Sequence, residues 1–423
     1  MWRRLLIDNA ALLVQFAANA LVPLLLVPHF VRTLGVEHYG VLAMLVAAMG
    51  FAAVVVQYAF HLTGPAELAA LASGRGERRL FLDIVAARLV LLAAVLVVFV
   101  PAGFAADALL APAQPAWREA AALLAIPVGA ALNAGWYLQA RGRFAALALL
   151  SVGAVAVALA IGLTAVVSGS AQARFAAALA LGAAPLLLGL GSLVCAALLL
   201  PSEPGRPTPA SVLGALQRGR AAFLSQFVAA LYSLAGPLVV GAVSGIRAAG
   251  LFSAIERPAA AVQAALTLTH TAAYPRASAF FAAGAREDYL RLLRQILVVY
   301  AVAVATLGLA LLLLGDRVAQ FLFGAAAADS GALLWLAYAW VALGIFGPMV
   351  TGYLTVRGTP NDILRLTAVV LLVSLPAGAA GAAMLGAAGW LMASIAGQLI
   401  VAAYAIRAWR HASGRPDQAA RKG

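Results

Sequence analysis

Glu256 and Arg257 stand side by side in a stretch that is otherwise apolar, the first place in this chain to look for chemistry. A charge near the centre of a bilayer costs on the order of 3 kcal/mol, so an ionisable group is kept there when it does something. Adjacent helix residues project about 100° apart, so the two cannot neutralise each other side by side and need other partners. A guanidinium presents paired donors that match a phosphate. The plain structural reading has Arg257 reaching outward to the interface and Glu256 pairing with a neighbouring helix. The amides Gln15, Asn19, Gln57, Gln226 and Gln263 and the phenol Tyr232 also interrupt apolar runs, where they either line a polar cavity or join helices by hydrogen bonds. His61 and His270 fall near the inner ends of their spans and have side chains that titrate near neutral pH. Arg257, Glu256, Gln15, Asn19, Gln57, His61, Gln226, Tyr232 and His270 form the candidate substrate-binding set. Arg88 sits about one turn into its span and reads as structural, its long side chain extending to the phosphate region.

Motifs for covalent chemistry are missing. The chain has no Walker loop, HExxH, GxSxG or Cys-rich pattern, so the reading assigns no catalytic residue, no metal site and no cofactor, with proton or sodium coupling left open. The lone Cys195 lies in an apolar run, which excludes an intrachain disulfide. Loops of at most about 20 residues leave no room for a soluble catalytic domain. Such a chain moves a substrate across a membrane rather than transforming it.

The elements that must hold these residues are apolar helices. With 65% apolar and 10% charged residues and a mean hydropathy of +1.00, the chain cannot cover a water-soluble globule with polar surface. Apolar runs of spanning length predict helices near 6–30, 41–60, 84–104, 120–139, 144–167 and 175–200, then 223–243, 251–274, 295–314, 332–356, 366–385 and 387–406. The first run is too long for a signal peptide and reads as an uncleaved helix. Pro23, Pro28 and Pro237 interrupt the first helix of each set and predict bends. Trp2, Trp117, Trp136, Trp390 and Trp409 near span ends predict an aromatic belt.

The formal charge of +13 forms no continuous basic face, which argues against nucleic acid; it encodes orientation instead. Alternate gaps hold clusters, such as Arg75, Arg78 and Arg79, Arg141 and Arg143, Arg206, Arg218 and Arg220, and Arg286, Arg291 and Arg294. The intervening gaps hold the single arginines Arg32, Arg118, Arg174, Arg247 and Arg317. By the positive-inside rule, both termini are cytoplasmic and the span count is even. The stretch 201–222, with Pro204, Gly205, Pro207 and Pro209, reads as a linker, so that 1–200 and 223–406 are two six-helix bundles and 407–423 a basic cytoplasmic tail. Gly35, Gly40 and Pro65 recur as Gly245, Gly250 and Pro275 at one offset of 210 residues. A parallel duplication of this kind relates the halves by a pseudo-twofold along the membrane normal, with a cavity between them.

Several segments resemble the polysaccharide-exporter branch of the multidrug/oligosaccharidyl-lipid/polysaccharide (MOP) flippase superfamily, the Wzx-type O-antigen flippases. They are Arg32–Gly40, the Gln57-Tyr58-Ala59-Phe60-His61-Leu62-Thr63 stretch, Trp136–Gly142, and Ala249-Gly250-Leu251-Phe252-Ser253-Ala254-Ile255-Glu256-Arg257, followed by Tyr274-Pro275. Ala59 stands where that family often has glycine, Phe252 where it often has tyrosine, and Ala140 where it often has a glycine after the glutamine. The resemblance implies an all-α, MATE-like architecture of about twelve spans. It also implies a flippase that turns a polyprenyl-pyrophosphate-linked oligosaccharide from the inner to the outer leaflet of a bacterial cytoplasmic membrane, for surface polysaccharide assembly alongside a polymerase and a chain-length regulator. A drug/cation antiporter of the same superfamily and a membrane-embedded polymerase or ligase are the alternatives.

Overall fold

The computed structural model describes residues 2–71, 76–110, 116–170, 172–202, 204–324, 330–356 and 360–414, and every regular element among them is helical. Trp2–Leu21 (α1) passes through a π-helical turn, Val22–Leu26, into Val27–Leu34 (α2). Val36–Gln57 (α3) and Phe60–Ala69 (α4) follow, then Glu77–Leu110 (α5). Trp117–Leu123 (α6), Ala125–Leu132 (α7) and Gly135–Ala140 (α8) form one broken span before Phe144–Ala165 (α9) and Ala173–Leu199 (α10). The chain continues as Pro209–Ser244 (α11), Ile246–Ala282 (α12), Arg286–Phe323 (α13), Gly331–Leu343 (α14), Phe346–Val356 (α15), Pro360–Leu385 (α16) and Ala387–Gly414 (α17).

Eleven stretches among the described residues are long and apolar enough to cross a membrane. Their outer faces suit hydrocarbon: Leu198 and Met384 are each 82% exposed, which water would penalise and lipid does not. α12 is not among the eleven. At 37 residues it has the length, and it is the helix that carries Glu256, Arg257 and His270. About twelve spans were expected, and the described residues give eleven, with α12 a long helix beside them.

Local sequence explains the helix joints. α2 and α11 each end on a glycine in the left-handed region, Gly35 at φ 85° and Gly245 at φ 89°, whose N–H groups donate to the carbonyls of Val31 and Gly241. Only glycine takes that backbone freely, so the repeat read at an offset of 210 is a repeat of geometry. α11 starts earlier than expected. Thr208 and Ser211 form a capping box with Pro209 in the first turn, so the second part of the 201–222 stretch is helix rather than linker. Pro23 lies in the π-helical turn and Pro28 opens α2, as the expected bend requires, whereas Pro237 sits buried within a continuous α11. Trp136 and Trp390 do not join an aromatic belt. They are 2% and 6% exposed and lie against Gly64 and Gly378, positions where the lack of a side chain admits an indole ring.

The chain forms two compact units, Met1–Pro258 with Phe321–Ala326, and Ala259–Gln320 with Ala327–Gly423. In the first, Phe60, Phe81, Ile84, Trp136 and Tyr137 centre a core that packs α4, α5 and α8 together. In the second, Tyr289, Leu293, Ile296, Tyr300, Ile345 and Met349 pack α13 against the break between α14 and α15, and the Tyr300 hydroxyl donates to the Val341 carbonyl at 2.5 Å.

Candidate functional site

The break between α3 and α4 is the sharpest departure from regular backbone within a spanning stretch. Tyr58 and Ala59 are both left-handed, at φ 47° and 56°, a conformation that costs a non-glycine residue roughly 1–2 kcal/mol. Packing holds it in place: the Tyr58 ring stacks on Phe223 of α11 with centroids 4.3 Å apart and planes within 10°, while Ala59 is buried. Ala59 occupies the position where the resembling family often has glycine, and the left-handed backbone supplies the reason. Ala59→Gly is accordingly expected to leave stability within about 0.5 kcal/mol of the parent, because relief of the strained backbone offsets the lost methyl. Ala52→Gly, at a buried position inside α3, should lose at least about 1 kcal/mol. Thermal melting of the purified variants distinguishes these outcomes, and equal losses at the two sites would contradict the strain.

The break turns His61 outward, where it is exposed and hydrogen-bonded to Gln226 of α11, Nε2 to Nε2 at 3.2 Å. An amide nitrogen only donates, so in this arrangement the imidazole Nε2 accepts. Gln57 ends α3 half-buried on the other side of the break, and Tyr232 is half-buried further along α11. On α1, Gln15 is half-buried and Asn19 exposed; no hydrogen bond or ion pair ties either to the other candidates among the described residues. His270 belongs to the second unit, where its imidazole lies against Gly352 of α15.

Glu256 and Arg257 lie half-buried on α12, within the electrostatic reach of the buried Tyr39 hydroxyl on α3. No ion pair holds either residue among the described residues, and Arg257 Nε is a buried donor without a partner. Its Nε therefore has donor capacity that no described group takes up.

Arg88 is buried rather than extended to the phosphate region as its sequence position suggested. It follows Glu77, the first residue of α5, by eleven positions, about 16 Å along the helix, and is 2% exposed. Instead of reaching the interface, Nη1 donates to the carbonyl of Asn133, and the guanidinium lies 5.8 Å over the Phe60 ring. The physical reason is the break between α7 and α8. Asn133 ends α7 in an extended conformation, so its carbonyl has no helical partner, and the negative end of the helix dipole draws the cation.

Sequence reasoning, attending to arginines, missed three buried carboxylates. Glu77 accepts the Tyr137 hydroxyl and pairs with Arg141 at 3.0 Å. Asp83 accepts the Ser211 hydroxyl at 2.6 Å, tying the start of α11 to α5. Glu119 pairs with Arg174 at 2.6 Å. The Asp83–Ser211 bond and the Arg218–Glu67 pair at 3.0 Å bind α11 to the helices that precede it, in keeping with a first compact unit that runs on to Pro258. Their sequence signal was present: Glu77 and Glu119 each fall in the first turn of a helix.

Residues 8–281 match the family described as polysaccharide biosynthesis protein, a stretch that holds every segment on which the resemblance rested. The chain belongs to this family. A curated relative in Escherichia coli (strain K12), described as "Putative O-antigen transporter", is 26% identical over 264 residues. That match spans 62% of this chain and 62% of the relative's length. Among solved structures, the lipid II flippase MurJ in an inward closed conformation superposes with a TM-score of 0.70 at 14% identity, covering 96% of this chain and 87% of that one. An inward-facing multidrug resistance MATE family transporter of the MOP superfamily gives 0.65 at 16% identity, covering 93% and 94%. This member of the polysaccharide biosynthesis family therefore has the MOP-type fold and is a multi-pass membrane protein of transporter architecture.

Proposed function

We propose that the chain is a flippase for a polyprenyl-pyrophosphate-linked oligosaccharide, turning it from the inner to the outer leaflet of a bacterial cytoplasmic membrane with both termini in the cytoplasm. Family membership supports the substrate class. One observation within the molecule carries the reading: Arg257, whose buried Nε has no partner among the described residues, held next to Glu256 on α12 and near Tyr39.

A sugar and pyrophosphate head cannot cross hydrocarbon unaided, so a protein surface has to replace its water while the isoprenoid tail stays in lipid. The Arg257 guanidinium offers the phosphates charge-assisted donors, and the His61–Gln226 pair, with Gln57 across the α3–α4 break, offers hydrogen bonds to sugar hydroxyls. On this reading, 1–200 and 223–406 are the two repeated halves, and a polymerase with its chain-length regulator takes up the product outside.

Deleting the gene is expected to leave glycan synthesis intact, to lower surface polysaccharide, and to make short lipid-linked units accumulate. Extraction of lipid-linked sugars from mutant and parent cells measures this. Unchanged amounts together with altered resistance to cationic drugs would favour an antiporter instead.

A further inference from the structure

We propose that the face of α11 formed by Phe223, Gln226 and Phe227, together with His61, is a docking platform for a neutral pyranose, whose C–H face lies on the Phe227 ring while its hydroxyls meet the His61–Gln226 pair. The inference rests on the flippase reading, within which it names the surface that recognises the sugar.

Helical spacing assembles the platform. Residues three and four apart share a helix face, so Phe223, Gln226 and Phe227 line one side of α11, with Gly219 one turn earlier. The Tyr58 ring lies flat on Phe223 and runs on over Gly219, where a methyl would meet its ring carbons at 3.4 Å. That stack fastens the α3–α4 break to α11, and three residues on from Tyr58 the His61 ring reaches Gln226. The Phe227 ring lies 5.7 Å from Phe223, tilted by 38°. Phe60, at the same break, is fully buried, whereas Phe227 is only half-buried and keeps part of its surface open.

The polar pair decides what this surface faces. With Nε2 accepting from the Gln226 amide, a neutral imidazole carries its proton on Nδ1, and the amide keeps a carbonyl oxygen with which to accept. Hydrocarbon would satisfy neither group, so a polar occupant suits them and a lipid tail does not. A donor and an acceptor side by side, without net charge, match hydroxyl groups, each of which both donates and accepts. A hydroxylated ring that also has an apolar C–H face suits an aromatic ring set beside such a pair.

The position agrees with that occupant. Gln226 precedes Gly245 by 19 residues and Arg257 follows it by 12, so at the helical rise the pair lies about 10 Å further from that joint than Arg257 does. A head group whose phosphate sits at Arg257 therefore has a short oligosaccharide's length to span before it reaches the platform.

The test uses the purified full chain in lipid nanodiscs, with the methyl glycosides of glucose, galactose, rhamnose and N-acetylglucosamine as probes, read by saturation-transfer NMR. At least one probe should receive saturation chiefly on the C–H protons of one ring face. Phe227→Leu keeps the apolar volume without the π-face and should weaken that probe's binding about two- to tenfold, the worth of one aromatic pairing, whereas Phe227→Tyr should retain it. Gln226→Leu should erase any preference between the glucoside and the galactoside while saturation persists. Trp335→Leu, at an exposed ring of α14, should change nothing. If Phe227→Leu fails to accumulate, the one-faced pattern in the parent and the Gln226→Leu comparison still decide. Saturation of no probe, transfer spread evenly around the ring, or tetraphenylphosphonium bound in place of every sugar and lost in Phe227→Leu would each overturn the platform. Binding is read without transport, so a chain that bound none of these sugars yet trapped lipid-linked units on deletion would lose the platform and keep the flippase reading.

Discussion

Arg257→Gln should reduce export of lipid-linked glycan by tenfold or more while protein abundance stays near normal. The arginine has no ion-pair partner to abandon among the described residues, its Nε being a buried donor without one, and glutamine keeps much of its length and its hydrogen-bonding capacity. What is lost is charge: a hydrogen bond to a charged group is worth about 1.5–3 kcal/mol, which corresponds to roughly tenfold to a hundredfold in binding. Arg257→Lys keeps the charge without the paired geometry and should fall between the two. Surface polysaccharide measured against immunoblotted protein separates the effects, and a parallel fall in both would make Arg257 structural.

Arg88→Ala should show the opposite pattern, with abundance and export failing together. Removing the side chain leaves a cavity under Phe60 and deprives the Asn133 carbonyl of its donor, a combined loss of about 3–5 kcal/mol. Arg88→Met refills most of that volume and removes a buried charge that has no carboxylate partner among the described residues, so it should recover more than half of the lost abundance, with export recovering in proportion. Normal abundance without export in Arg88→Met would mean that the guanidinium touches substrate.

What could be read in the sequence was whatever depends on neighbours along the chain. Apolar length placed the spans, and Gly35 and Gly245 announced a joint that recurs with the same backbone. What could not be read depends on contacts between distant segments. Tyr58 and Ala59 carry no glycine signal for a left-handed backbone, which is imposed by the stacking of Tyr58 on Phe223. Arg88 was misplaced because its partner exists only once α7 breaks at Asn133. A Pro-rich composition hid the helix that Thr208 starts within 201–222, which Asp83 anchors through Ser211. Within the candidate set, sequence found the polar residues but not their grouping: His61 meets Gln226, Tyr39 senses Glu256 and Arg257, and His270 packs on Gly352.

The most direct test of the flippase reading is the side of the membrane on which the trapped lipid-linked units lie in cells lacking this chain. Intact spheroplasts are treated with a membrane-impermeant glycosidase or lectin, and the units are then extracted and compared with those from lysed cells. The charged head crosses hydrocarbon too slowly to reach the outer leaflet alone, so the units should be protected in intact cells and become accessible only after lysis. Units already accessible from outside in the absence of this chain would contradict the account and assign it to a later polymerisation or ligation step.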